Sequence, residues 1–149
     1  MKINIIHGPN LNMLGKRDSE KYGPFTLDQV NALISAEAEK LGVSVSFFQS
    51  NHEGAIIDYL QSDEVRTSEG LVINPGALIR YAFSFRQALV DLNKSFVEIH
   101  MSDIHATGVN KKINVLDDLE FRIDQICGLK EQSYISGLHV LVDHIRCTS

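Results

Sequence analysis

The sequence predicts one α/β domain, a three-layer sandwich with a five-stranded parallel sheet between two helical layers. Three observations carry this. Five short apolar runs alternate with helical patterns. No hairpin signal joins any two of those runs, which argues for parallel strands linked by helices. Right-handed crossovers then place helices on both faces. The chain has 149 residues, 44% of them hydrophobic and 22% charged, enough for one core and ordinary for a globular protein. Residues 1–149 read as a single domain, without repeat, low-complexity segment or linker.

Residues 2–7 (KINIIH) form strand one. A loop rich in glycine and polar residues follows, HGPNLNMLGKRDSEKYG, 7–23. Thr26 precedes Gln29 at a capping-box spacing, and Leu27, Val30, Leu33, Ile34 and Leu41 make one apolar helical stripe ended by Gly42. Val43 to Phe48 reads as strand two, followed by the polar loop QSNHEG, 49–54. Ala55 to Gln61 is a short helix, Gly70 to Asn74 strand three, and Ala77 to Leu92 one helix. Phe96 to Met101 is strand four. Residues 107–119 form a polar loop with a short helix. Arg122 to Leu129 is strand five, interrupted by Arg122, Asp124 and Gln125, and Ser133 to Arg146 is the last helix.

Composition narrows the function classes. A net charge of −5 argues against non-specific nucleic-acid binding, which needs a basic face. The apolar run after Lys2 has four residues, too short for a signal-peptide core or a membrane span. Cys127 and Cys147 make no disulfide framework or metal pattern and fit reduced thiols in a cytoplasmic protein. There is no CxxC, HExxH, Walker or GxGxxG sequence, so no metal or nucleotide cofactor is expected.

Polar residues collect at the carboxyl ends of the strands. Asn10, Asn12, Arg17 and Tyr22 follow strand one, and Ser50, Asn51, His52 and Glu53 follow strand two. Asn74 and Gly76 follow strand three, while Glu98, His100, Ser102 and Asp103 lie on and after strand four. In a parallel sheet these ends share one edge, where ligands bind. A tyrosine titrates near ~10 and is a poor base at neutral pH. A nearby guanidinium favours the phenolate by roughly 1–3 pK units. Arg17 and Tyr22 on one loop therefore fit a general base, and on spacing alone they also fit a solvated surface turn. Glu98 and His100, two apart on a strand, face the same side. A carboxylate there supports the imidazolium of a general acid. His100 also fits a satisfied histidine at the sheet edge, Asn74-Pro75-Gly76 a plain turn, and His52 and Glu53 a cap on the next helix.

With those residues in place, the sequence resembles the type II 3-dehydroquinate dehydratases along nearly the whole chain. The family pattern GPNLNxLGxRxxxxYG appears as GPNLNMLGKRDSEKYG at 8–23, QSNHEG at 49–54, INPGA at 73–77, EVHxSN as EIHMSD at 98–103, and ICGL at 126–129. The resemblance implies a flavodoxin-like sheet and a cofactor-free anti elimination of water from 3-dehydroquinate through an enolate. By position it makes Tyr22 the base, assisted by Arg17. Asn10 holds a water at the enolate oxygen. His100 is the acid, oriented by Glu98. Asn74, Ser102 and backbone amides near Ile99 and Met101 hold the substrate. It also implies a homo-oligomer, a trimer-based dodecamer.

Four positions depart from the family text. Arg80 stands where the family has a substrate-binding histidine, and Gln87 where an aspartate serves the neighbouring subunit's site. Thr107 replaces an arginine, and Lys111 falls where a substrate-binding arginine would be. Bringing a tyrosine from ~10 to near ~7 takes roughly 4 kcal/mol, the top of the range one arginine supplies, so a second nearby cation is wanted. Arg80 or Lys111 is the candidate second cation, although lysine does not copy a bidentate arginine grip. The alternatives are the same elimination on a modified ring such as aminodehydroquinate, or a non-catalytic homologue. A flavin binder or phospho-acceptor fits less well, because strand one ends without an acidic cluster or a hydroxyl-rich phosphate loop.

Overall fold

The computed structural model describes residues 1–105 and 113–149. Five strands, β1 (Lys2–His7), β2 (Ser44–Gln49), β3 (Gly70–Asn74), β4 (Phe96–His100) and β5 (Arg122–Cys127), form one sheet in the order β2-β1-β3-β4-β5. Every pairing is parallel. The helices are α1 (Ser19–Tyr22), α2 (Leu27–Leu41), α3 (Glu53–Leu60), α4 (Asp63–Arg66), α5 (Phe83–Leu92) and α6 (Gln132–Thr148). The expected three-layer α/β sandwich is the observed one.

Alternation along the central strands divides the core in two. Ile3, Ile5, Val72, Val97 and Ile99 pack under α2 and α6, with Val30, Ile34, Leu138 and Leu141. Ile6, Leu71, Ile73 and Phe96 pack under α3 and α5, with Ile56, Leu60, Phe85 and Leu89. Helix α6 lies close to the sheet because Gly137 has no side chain; a Cβ there would sit 2.8 Å from Ile99 Cγ2.

The element boundaries differ from the sequence reading in physically simple ways. The Thr26–Gln29 capping box forms as expected. Strand two starts at Ser44, because the Val43 N–H closes the end of α2 on Ala38 O. Strand five stops at Cys127, where Gly128 turns at a φ of 85° and its N–H bonds His100 O and Ser102 O. The single helix expected over 77–92 is two pieces. A 3-10 turn spans Gly76–Arg80, and α5 begins only at Phe83. Asn74 Oδ1 accepts from Gly76 N–H, and Gly76 takes a φ of 57°, so the chain leaves β3 in a tight turn. The four-residue helices α1 and α4 carry no periodicity and were not expected. Of the expected loop-plus-helix over 107–119, the described part, 113–119, contains no helix. No described helix is long and apolar enough to cross a membrane.

Candidate active site

The carboxyl edge of the sheet opens into a crevice of about 230 Å³. Asn10, Arg17, Tyr22, Asn74, Arg80, His100, Met101 and Ser102 line it, with Pro9, Leu11, Ile79 and Ile104. These are the ends of β1, β3 and β4 and the loop after β1, as the parallel topology requires.

The loop after β1 is held from below. Gly8 N–H donates to Asn74 O at 2.7 Å, which ties β1 to the end of β3. A Cβ on Gly8 would lie 2.7 Å from Pro75 O and 2.9 Å from Asn74 O. Gly8→Ala therefore pushes the loop off the sheet edge. The expected outcome is a loss of about 1–3 kcal/mol, read as a lower denaturation midpoint. Asn10 sits in the left-handed region at a φ of 71°, and its N–H donates to Asn51 Oδ1 at 2.9 Å. Gln49 Nε2 donates to the same oxygen and to Gly8 O. The QSN segment at the end of β2 is thus a brace for the loop that carries Asn10. Glu53 begins α3, and its Oε2 accepts from Phe85 N–H, capping the start of α5. His52 makes no side-chain cap bond.

Tyr22 ends α1, a single turn capped by Asp18, whose Oδ1 accepts from Glu20 N–H. The Arg17 guanidinium lies over the Tyr22 ring, its Cζ 3.7 Å from the ring centroid. It stacks on the face of the ring as a cation–π contact. Both side chains are half-buried and both line the crevice.

On β4, Glu98 and His100 are buried and point to the α5 side. His100 Nε2–H donates to Glu98 Oε2 at 2.6 Å, so Nδ1 is the ring nitrogen left for a ligand. Glu98 also accepts from Arg122 Nη1 at 2.8 Å, Gln125 Nε2 at 3.0 Å and Asn114 Nδ2 at 3.0 Å. Burial pushes its carboxyl up, but the hydrogen bond and charge of His100, then the Gln125 and Asn114 amides, outweigh burial and hold it at about 2. Arg122 and Gln125 are three apart on β5, so an unbroken strand would turn them to opposite faces. A register shift opposite Phe96 and Val97 inserts one residue and brings both onto the same carboxylate. The polar interruptions of strand five are therefore the partners of Glu98.

A second polar network runs under the crevice through a histidine that sequence reasoning treated only as the end of strand one. His7 is fully buried between Tyr134 on α6 and Asn31 on α2, at 2.6 Å and 2.8 Å. Asn74 Nδ2 donates to the same Tyr134 oxygen at 3.1 Å. Burial lowers His7 to about 4 against the Asn31 hydrogen bond, so the folded protein keeps it neutral. The unfolded chain takes up that proton near 6.5. Between 6.5 and 4 the unfolded state binds more protons, so stability falls as pH falls through this window. Urea unfolding at pH 7 and pH 4 is expected to differ by about 3 kcal/mol from His7, and His7→Phe is expected to remove that part of the slope.

The remaining candidates are placed as follows. Arg80 lines the crevice at the end of the 3-10 turn, and its Nη1 donates to Ile113 O. The Ile99 side chain points away into the core under α6, so Ile99 offers the site only its backbone. Gln87 is exposed on α5 with its amide on Asp91 and does not line this crevice. Lys111 and Thr107 lie outside the described residues. Burial raises the Cys127 thiol, which makes it a poor nucleophile. Among the described residues no cluster of three or more His, Cys, Asp or Glu is placed to hold a metal ion.

Comparison with known proteins points to one family. The family model described as Dehydroquinase class II matches residues 1–142. A 3-dehydroquinate dehydratase of Roseiflexus castenholzii is 42% identical over 142 residues, covering 95% of this chain and 88% of the relative. One from Halothermothrix orenii is 38% identical, covering 97% and 96%. The crystal structure of a type II dehydroquinase from Butyrivibrio crossotus superposes with a TM-score of 0.87 at 34% identity, over 95% of this chain and 97% of that one. A type II dehydroquinase from Propionibacterium acnes gives 0.85 at 30% identity, covering 95% and 96%. With the fold, the strand-end motifs and relatives of this similarity all in agreement, the chain belongs to the class II dehydroquinase family.

Proposed function

We propose that the protein is a 3-dehydroquinate dehydratase, a hydro-lyase that converts 3-dehydroquinate to 3-dehydroshikimate in the shikimate pathway. The observation that carries the reading is the meeting of two proton-handling devices across one crevice: Tyr22 under the Arg17 guanidinium, and His100 backed by Glu98. Tyr22, as the phenolate, takes the proton α to the ketone. The electrons pass into an enolate, whose oxygen is stabilised by a water held at Asn10. The enolate re-forms the ketone and expels the β-hydroxyl, which takes a proton from His100 Nδ1 and leaves as water. The imidazolium is held by the Glu98 carboxylate beneath it. Tyr22 ends protonated and His100 neutral, and one proton passing from the first to the second restores the enzyme.

Asn74, Ser102 and the Met101 backbone hold the carboxylate and ring hydroxyls. Arg80 takes the place that a histidine has in the family and supplies donors only. Donors fit a ring hydroxyl and oppose an ammonium, so the parent ring is favoured over an amino-substituted one. Lys111 is the remaining candidate cation for the substrate. No cofactor or metal enters the scheme, and the protein is expected to work in the cytoplasm. Tyr81 and Phe83, both more than half exposed beside Gln87, support a homo-oligomer built through this face, a trimer-based dodecamer in the reading from resemblance. The test is the ultraviolet absorbance of the conjugated enone formed from 3-dehydroquinate. Steady turnover supports the reading. No turnover from folded protein, with turnover of a ring-modified analogue, would move the assignment to that analogue.

A further inference from the structure

We infer that His7 and Tyr134 are positioning residues that fix which end of the Asn74 amide faces Tyr134 and so which groups it offers the substrate. This rests on the reading of Asn74 as a substrate contact. The argument starts at a group with no choice. The Gly76 backbone N–H only donates, so the Asn74 atom it meets at 3.3 Å is Oδ1. That puts Nδ2 on the Tyr134 hydroxyl oxygen at 3.1 Å, and an amide N–H donates, so this oxygen accepts. The Tyr134 hydrogen then goes to the other partner of that oxygen, His7 Nδ1, at 2.6 Å. Nδ1 is therefore bare, and the ring proton sits on Nε2, which donates to Asn31 Oδ1 at 2.8 Å. Each hydrogen is placed once, and the order runs one way from β3 through α6 and β1 to α2. One Nδ2 hydrogen and one Oδ1 lone pair of Asn74 remain for the crevice.

The other tautomer breaks the chain. With the proton on Nδ1, the Tyr134 hydrogen would turn onto Asn74 Nδ2, where two donors would meet. Asn74 would relieve that only by flipping, which leaves the Gly76 N–H facing an NH₂ group. His7 and Tyr134 are both fully buried, so bulk water does not substitute for a lost partner. Burial also pushes the Tyr134 hydroxyl far up and the His7 ring down, so at neutral pH the first stays protonated and the second uncharged. Neither residue lines the crevice, and the Tyr134 hydroxyl reaches it through its hydrogen bond from Asn74.

Three variants separate positioning from mere packing. His7→Phe keeps the ring volume and deletes the acceptor. His7→Asn keeps an acceptor where Nδ1 stands. Tyr134→Phe deletes the relay hydroxyl. Nitrogen-15 spectra of histidine-labelled protein at pH 7, with the His7 signals identified by their loss in His7→Asn, are expected to show the proton on Nε2. A proton on Nδ1 overturns the inference. In steady-state kinetics, His7→Phe and Tyr134→Phe are each expected to raise KM about tenfold with kcat within about threefold. His7→Asn is expected to restore KM. The double variant His7→Phe/Tyr134→Phe is expected to be no worse than Tyr134→Phe, because both changes cut one chain. Unchanged KM in folded His7→Phe and Tyr134→Phe, or additive losses in the double variant, overturns it. A wild-type protein that does not turn over 3-dehydroquinate fails the proposed function instead, and the nitrogen spectra still decide the order of the hydrogens.

Discussion

Tyr22→Phe is expected to lower kcat for 3-dehydroquinate by about 10³-fold and to leave KM and the denaturation midpoint nearly unchanged. The expectation follows from what the substitution keeps. The Arg17 guanidinium stacks on the ring face, 3.7 Å from its centroid, and phenylalanine presents the same face. The turn Ser19–Tyr22 is capped by Asp18 and closed by backbone bonds, none of which involves the phenol. Tyr22 is only half-buried, so no buried donor is orphaned. What disappears is the phenol oxygen of a residue that lines the crevice. A positioned general base contributes typically about 10²–10⁴-fold, so a loss near ~10³ is about 4 kcal/mol of barrier. Arg17→Ala is a poorer experiment, because it removes the charge and the packing over the ring together. A folded Tyr22→Phe enzyme keeping more than about a tenth of wild-type kcat would remove Tyr22 as the base and move the search to the other crevice groups.

The reason Tyr22 was legible in the sequence is that its partner is local. Arg17 lies five residues away on the same loop. The Glu98–His100 pair was legible for the same reason, since a strand places alternate residues on one face. The sheet was legible too, because β1, β3 and β4 are buried on both faces and are rich in Ile, Val, Leu and Phe between turn and helix patterns. What stayed hidden depends on contacts far apart in the chain. His7 meets Tyr134 across 127 positions, and Glu53 caps α5 across 32. A lone histidine closing a core-facing strand was the only trace of the first. Arg122 and Gln125 left a plainer trace, polar letters inside strand five, but their meaning needs the register shift that re-phases the strand. The split of the 77–92 helix was hidden because its apolar periodicity survives the break. The turn is set by the Asn74 side chain and the Gly76 backbone, and it delivers Arg80 to the crevice.

Glu98→Gln joins the two halves of this reading, because the carboxylate serves both the fold and the acid. Four donors converge on it, from His100, Arg122, Gln125 and Asn114. A glutamine keeps one oxygen and turns an NH₂ group toward donors that it has no means to accept from. At neutral pH the variant is expected to be less stable by about 3 kcal/mol, the range for breaking a buried charged cluster. Without the carboxylate, His100 loses the charge that supports its imidazolium, so kcat is expected to fall about 10²-fold or more. The pH dependence then separates charge from packing. Glu98 titrates near 4.5 when unfolded and at about 2 in the fold. Its contribution is therefore complete above about 4.5 and is lost as pH falls toward 2, an amount of about 3 kcal/mol. The His7 window, 6.5 to 4, is common to both proteins and cancels in their difference. The stability gap between wild type and Glu98→Gln should thus close as pH falls from about 4.5 toward 2. A gap that persists unchanged to pH 2 would mean that Glu98 is held by shape alone, and that the acid at His100 draws its support from elsewhere.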